Sequence, residues 1–139
     1  MRCLGLDLGS KTLGIAISDR TNFIASVYTT LRFDNDNYID LIKPLKEIID
    51  KEEIDTLVLG LPKNMNNSLG ERAMITLEFK KLLEDNFGLT VIMEDERLTS
   101  VISNNILINA DISRKKRKKV VDGLAAEIIL QSYLDKMNR

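Results

Sequence analysis

Two kinds of connection separate the apolar segments of this chain, and they restrict what it can fold into. Residues 2–8, 13–18 and 24–33 read as strands, joined by the short polar stretches Gly9-Ser10-Lys11-Thr12 and Asp19-Arg20-Thr21-Asn22. Connections that short force antiparallel pairing. Further along, the buried-strand patterns at 55–60 and 89–93 are each preceded by a helical pattern. Tyr38, Ile42, Leu45 and Ile49 mark the first helix, which Pro44 either starts or kinks. Ile75, Phe79, Leu82 and Leu83 mark the second, from about 71 to 86. Strands joined through helices run parallel by right-handed crossovers. A helix capped by Thr99 or Ser100 and running to about 108, a basic loop, and a closing helix over about 118–137 complete the chain.

The order βββαβαβαα predicts an α/β fold. It has a five-stranded mixed sheet, an antiparallel meander plus parallel strands, flanked by helices. The first strand is central. At 139 residues the chain, 1–139, reads as one domain. Ligands of open α/β sheets gather at the carboxyl ends of strands where the connection pattern switches.

Asp7 lies at that switch. It sits inside the apolar strand Cys3-Leu4-Gly5-Leu6-Asp7-Leu8, and Gly9 to Gly14 follow as a glycine-bounded turn open to a phosphate. An unpaired carboxylate in an apolar run costs several kcal/mol, so something must compensate it. Two more acids stand in apolar settings. Glu94-Asp95-Glu96-Arg97 closes the fifth strand, and its side chains alternate in direction, with Glu96 nearest the carboxyl end. Asp122 shares a helix face with Ala126, Ile129 and Tyr133, while Glu127 points away from that face. Each acid also has a plain structural use: turn cap, solvated strand end, or helix-dipole partner. Brought together, Asp7, Glu96 and Asp122 make an oxygen-donor site for one or two Mg²⁺ or Mn²⁺ ions.

Composition narrows the chemistry. Histidine is absent, which removes Ser-His-Asp and Cys-His catalysis and histidine-ligated zinc. The lone Cys3 reads as a small buried residue and fits a reducing cytoplasm. No signal-peptide pattern opens the chain, and no apolar run is long enough to span a bilayer. Net charge is only -1, yet Arg114-Lys115-Lys116-Arg117-Lys118-Lys119 is an unbroken run of cations just before Asp122. Such a run beside a carboxylate cluster fits a polyanionic substrate. Lys11, Lys63 in the polar loop 61–70, and Arg97 are further candidates for backbone contacts. Aromatic residues make up 5% of the chain, with no Trp, so base stacking has no platform.

Four motifs, in order, closely resemble the YqgF family of Holliday junction resolvase-like proteins, also described as pre-16S rRNA processing nucleases. They are Gly5-Leu6-Asp7-Leu8-Gly9-Ser10-Lys11-Thr12-Leu13-Gly14-Ile15-Ala16-Ile17-Ser18-Asp19; Gly60-Leu61-Pro62-Lys63-Asn64-Met65; Asp95-Glu96-Arg97-Leu98-Thr99-Ser100; and Val121-Asp122-Gly123-Leu124-Ala125-Ala126-Glu127-Ile128-Ile129-Leu130-Gln131. The resemblance implies an RNase H-like fold and puts Asp7, Glu96 and Asp122 on the family's acidic catalytic positions. The chain departs from the family pattern at Thr12, at Asn66-Asn67 and at Ser100, and no departure removes an acid. The function so implied is metal-dependent hydrolysis of precursor rRNA at the 5′ end of the small-subunit species. The alternatives are resolution of branched DNA, which needs a homodimer rather than a monomer, and a non-catalytic nucleic-acid-binding factor. An ATP-binding protein of the actin and sugar-kinase type needs two such domains, and this length supplies one.

Overall fold

A computed structural model describes residues 2–9, 11–34, 37–61, 70–95 and 114–138, and for residues 71, 95 and 114–122 it describes the backbone alone. The described elements are β1 (Arg2–Leu8), β2 (Thr12–Ser18), β3 (Ala25–Arg32), a 3-10 turn (Tyr38–Leu41), α1 (Ile42–Glu52), β4 (Ile54–Leu61), α2 (Glu71–Phe87), β5 (Thr90–Asp95) and α3 (Arg114–Met137). The strands form one mixed sheet in the order β3-β2-β1-β4-β5. β1 pairs antiparallel with β2 and parallel with β4, so the expected switch falls on the central strand.

Alternation along each strand sends side chains to two different layers. One face carries Leu4, Leu6, Leu8, Leu13, Ile15, Leu57 and Leu59, packed with Leu45 of α1 and with Phe79 and Leu83 of α2. Tyr38 fills the corner of this layer, with ring centroids 5.4 Å from Phe33 and 5.9 Å from Phe79. The other face carries Cys3, Ala16, Ala25 and Val58 against Ala126, Ile129, Leu130 and Leu134 of α3. Pro44 stands in the first turn of α1, where its missing N–H leaves no bond unmade, so the helix starts there rather than kinking.

Two boundaries differ from the sequence reading in ways that bear on the site. β5 runs to Asp95, so Glu94 and Asp95 belong to the strand rather than following it. α3 begins at Arg114, so the cationic run is helical and not a loop. Lys and Arg are good helix formers, and apolar periodicity is silent in a segment with no apolar residue. The capped helix expected to end near 108 and the loop carrying Lys63 lie outside the described residues. No helix among the described residues is long and apolar enough to cross a membrane.

Candidate active site

The carboxyl ends of β1, β4 and β5 come together because the three strands are parallel. At that end the sheet forks. The β1–β2 ladder continues to Leu8↔Leu13 and the β4–β5 ladder to Leu61↔Asp95. The β1–β4 ladder stops at Leu6↔Leu59, one residue before Asp7. Asp7 therefore stands at the fork, half-buried, on the face that α3 covers.

Glycines flank it on both neighbouring strands. Asp7 pairs with Gly14 on β2. On β4 the residue after Leu59 is Gly60, which pairs with Glu94 on β5. The row across the fork is thus glycine, Asp7, glycine, Glu94. Strands lie about 4.8 Å apart, so the two acids stand roughly 10 Å apart along the backbone, over positions with no side chain.

Glu94 is the acid that the sequence reading passed over. It is 7% exposed, has the same parity as Asp7 and faces α3. Lys136 Nζ donates to both carboxylate oxygens at 3.1 and 2.9 Å, and Ser132 Oγ donates to Oε2 at 3.3 Å. The signal was present in the alternation of the acidic triplet. Which member faced Asp7 depended on the Gly60↔Glu94 register, which no local pattern reveals. Glu96 and Arg97 lie outside the described residues.

α3 reaches the sheet through a gap made by small residues. A Cβ on Gly5 would come within 2.7 Å of Leu130 Cβ and 2.8 Å of the Ala126 carbonyl oxygen. Only glycine lets the helix sit there. Further along α3, Gln131 Nε2 donates to the Phe23 carbonyl, and its Oε1 accepts from the Ala25 N–H. Asn138 Nδ2 donates to the Asn22 carbonyl. These partners belong to the β2–β3 turn, at the end of the sheet away from Asp7. The helix therefore enters from the Asp7 end, and its position 122 is one turn before Ala126, toward that end. The expected buried stripe holds at Ala126 and Ile129, with Tyr133 and Glu127 half-buried. Position 122 and the cations at 114–119 lie on the described backbone of this helix.

Lys11 is exposed in the turn after β1, where its carbonyl accepts from the Phe33 N–H at 3.0 Å. Arg72, in the first turn of α2, donates from Nη2 to the Leu8 carbonyl at 3.0 Å. The sequence reading did not single it out. Cys3 is buried, and burial, with the Asp55 charge as a smaller cause, pushes its thiol pKa up, away from nucleophile chemistry. A cavity of about 390 Å³ opens at the far end of the sheet, beside Ile49, Ile54, Phe87 and Leu89, and takes no part in the fork. Among the described residues no group of three His, Cys, Asp or Glu side chains converges.

A family model described as "RuvX: Holliday junction resolvase" matches residues 1–136. The chain belongs to the RuvX family. It is a nuclease, an enzyme that hydrolyses phosphodiester bonds. A Geobacillus protein (strain WCH70) named "Putative pre-16S rRNA nuclease" is 53% identical over 135 residues, 97% of this chain and 98% of its own length. One of the same name from Clostridium botulinum (strain Hall) is 49% identical over 139 residues and covers both chains completely. Among solved structures, T. thermophilus RuvC in complex with a Holliday junction substrate superposes with a TM-score of 0.62 at 12% identity, covering 99% of this chain and 96% of that one. The fowlpox virus resolvase complexed with Holliday junction DNA gives 0.60 at 16% identity and covers both chains fully. At such identities the likeness concerns the fold, which is RNase H-like, as the resemblance implied.

Proposed function

We propose that residues 1–139 act as a single metal-dependent nuclease domain that processes the 5′ end of precursor 16S rRNA in the cytoplasm. One observation carries the reading: half-buried Asp7 stands at the fork of the sheet with glycines on both flanking strands. An acid flanked by glycines at the carboxyl ends of parallel strands is where a ligand of an open α/β sheet is expected, and it suits a cation and a phosphate.

The donor chemistry fits a hard divalent cation. The candidate acids offer carboxylate oxygens only, and the chain has no histidine. Asp7, Glu96 and Asp122 would hold Mg²⁺ or Mn²⁺. Glu96 follows Glu94 by two residues in the sequence, and position 122 precedes the Gly5 crossing by one helical turn. Bound there, the cation supplies charge at the scissile phosphate and acidifies an attacking water. Glu94 is already neutralised by Lys136, so its part is to tie α3 to β5.

The helical cations support a polyanionic substrate. Positive charge in the first turns of a helix opposes the helix dipole. Arg114, Lys115, Lys116, Arg117, Lys118 and Lys119 stand where that opposition is greatest, and the first turn of α3 holds no acid. A phosphate backbone would relieve it. Lys11, Lys63 and Arg97 would add contacts along the same strand. The relatives' names support precursor rRNA as that strand.

The family model's own description favours a second reading, resolution of four-way DNA junctions, which calls for two active sites and hence a homodimer. Both readings are tested by giving the protein and its Asp7→Asn variant labelled precursor rRNA and a four-way junction with Mg²⁺ or Mn²⁺. Cleavage of the rRNA by the parent alone is the expected result. Cleavage of the junction alone would select the second reading, and cleavage by the variant would remove Asp7 from the site.

A further inference from the structure

The fork leaves the end of β1 without β4 as a ladder partner, and one side chain steps into the gap. β1 is bonded to β4 only as far as Leu6↔Leu59. The Leu8 carbonyl, next but one beyond that limit, accepts instead from Arg72 Nη2 at 3.0 Å. Arg72 comes from the second residue of α2, and Thr76 Oγ1 donates to the Arg72 carbonyl at 2.8 Å, which ties its backbone to the next turn. The guanidinium is therefore held at the end of β1, on the carbonyl of the residue that follows Asp7.

A backbone carbonyl asks little of a guanidinium. Arginine has five N–H donors in a planar fork, and the Leu8 bond uses one. Among the described residues, no carboxylate forms an ion pair with Arg72. Arg72 is half-buried and bonded to a neutral acceptor, the carbonyl of the residue that follows Asp7 on β1. Arginine is suited to grip two oxygens of one phosphate, which a point-charge ammonium cannot do.

We propose that Arg72 is a substrate-contacting residue that grips a nucleic-acid phosphate at the β1–β4 fork, while its Leu8 bond fixes the strand that carries Asp7. This rests on the nuclease reading above and names a residue that reading does not contain.

The experiment measures RNA and junction binding as a function of salt, in the Asp7→Asn background so that cleavage plays no part. Each phosphate contact contributes about 0.7 to the log–log salt slope on single strands and about 0.9 on duplexes. Arg72→Gln is expected to lower the slope by about that amount. An unchanged slope would mean a tether only and would overturn the proposal. If Arg72→Gln fails to fold, Arg72→Lys decides, with Asp7 restored. Lysine keeps the charge but cannot hold the carbonyl and grip a phosphate together, so kcat/KM should fall at least about tenfold with the salt slope retained. Parental kcat/KM in Arg72→Lys would sink the assignment. Absence of binding by the parent to either nucleic acid would overturn the nuclease reading itself.

Discussion

The two faces of the sheet are built from different residues for different ends. The α1–α2 face is thick: Leu4, Leu6, Leu13, Ile15, Leu57 and Leu59 are fully buried against Phe79 and Leu83. The α3 face is thin, made of Cys3, Gly5, Ala16, Ala25 and Val58. Large side chains remove more apolar area from water, so the thick face holds most of the folding energy. Small ones bring a helix close, so the thin face sets where α3 lies relative to Asp7. Stability and site geometry are thus assigned largely to opposite sides of the same strand, residue by residue along β1.

Adjacent positions on β1 test that division. Leu6→Ala should be the most damaging change to stability, about 2–5 kcal/mol by urea denaturation, because it empties a fully buried site. Below its melting temperature the variant should still cleave at close to the parental rate. Gly5→Ala should cost less, about 1–3 kcal/mol, since the new methyl meets Leu130 Cβ and the Ala126 carbonyl and pushes α3 outward. Its cleavage rate should fall much further than its stability accounts for. Equal loss of activity in the two folded variants would break the division between faces.

Much of this arrangement was legible before any coordinates. Connection length separated the meander from the parallel strands, and the order of elements placed β1 at the centre. Asp7 was conspicuous because a carboxylate inside an apolar strand demands a reason. What stayed hidden depended on long-range register. Only the pairing of Gly60 with Glu94, and the bonds of Glu94 to Ser132 and Lys136, show that Glu94 faces α3. Arg72 follows Glu71 at the start of α2, and nothing local says that it reaches the end of β1, 64 residues earlier. The cationic run looked like a loop because the apolar periodicity that marks a helix cannot exist where every residue is charged.

The Glu94 cluster sharpens the comparison by putting a charge on the thin face. Lys136→Met should cost about 1–2 kcal/mol, since among the described residues it leaves a nearly buried carboxylate with Ser132 alone as donor. The exposure of Lys136 keeps the figure well below that of a fully buried pair. The double variant with Glu94→Met should recover most of the loss, because two apolar side chains can fill the site without an orphaned charge. A double-mutant cycle in urea measures this. Additive losses would show that the tie contributes nothing to the seating of α3.

The smallest effect is expected at the far end of the thin face and is visible only in acid. The exposed carboxylate of Asp19 accepts from the Thr21 hydroxyl and from the Phe23 and Ile24 N–H groups, the latter two at 2.8 and 3.1 Å. These bonds hold its pKa down at about 2, against an ordinary value of 3.8, with the Thr21 bond the largest cause. A depressed carboxylate stabilises the fold above its unfolded pKa, and that contribution is lost as pH falls through the folded one. The turn it shapes is the one that Gln131 and Asn138 grip, so protonation loosens the far anchor of α3 while leaving the leucine face alone. The parent's melting temperature should drop between about pH 4 and pH 2. Asp19→Asn should start slightly lower at pH 7 and lose this part of the pH dependence. Hydrogen exchange should place the parent's acid-induced opening in residues 131–138 before it reaches β1. Opening that begins on the α1–α2 face instead would mean that the two faces do not separate in stability, however differently they are built.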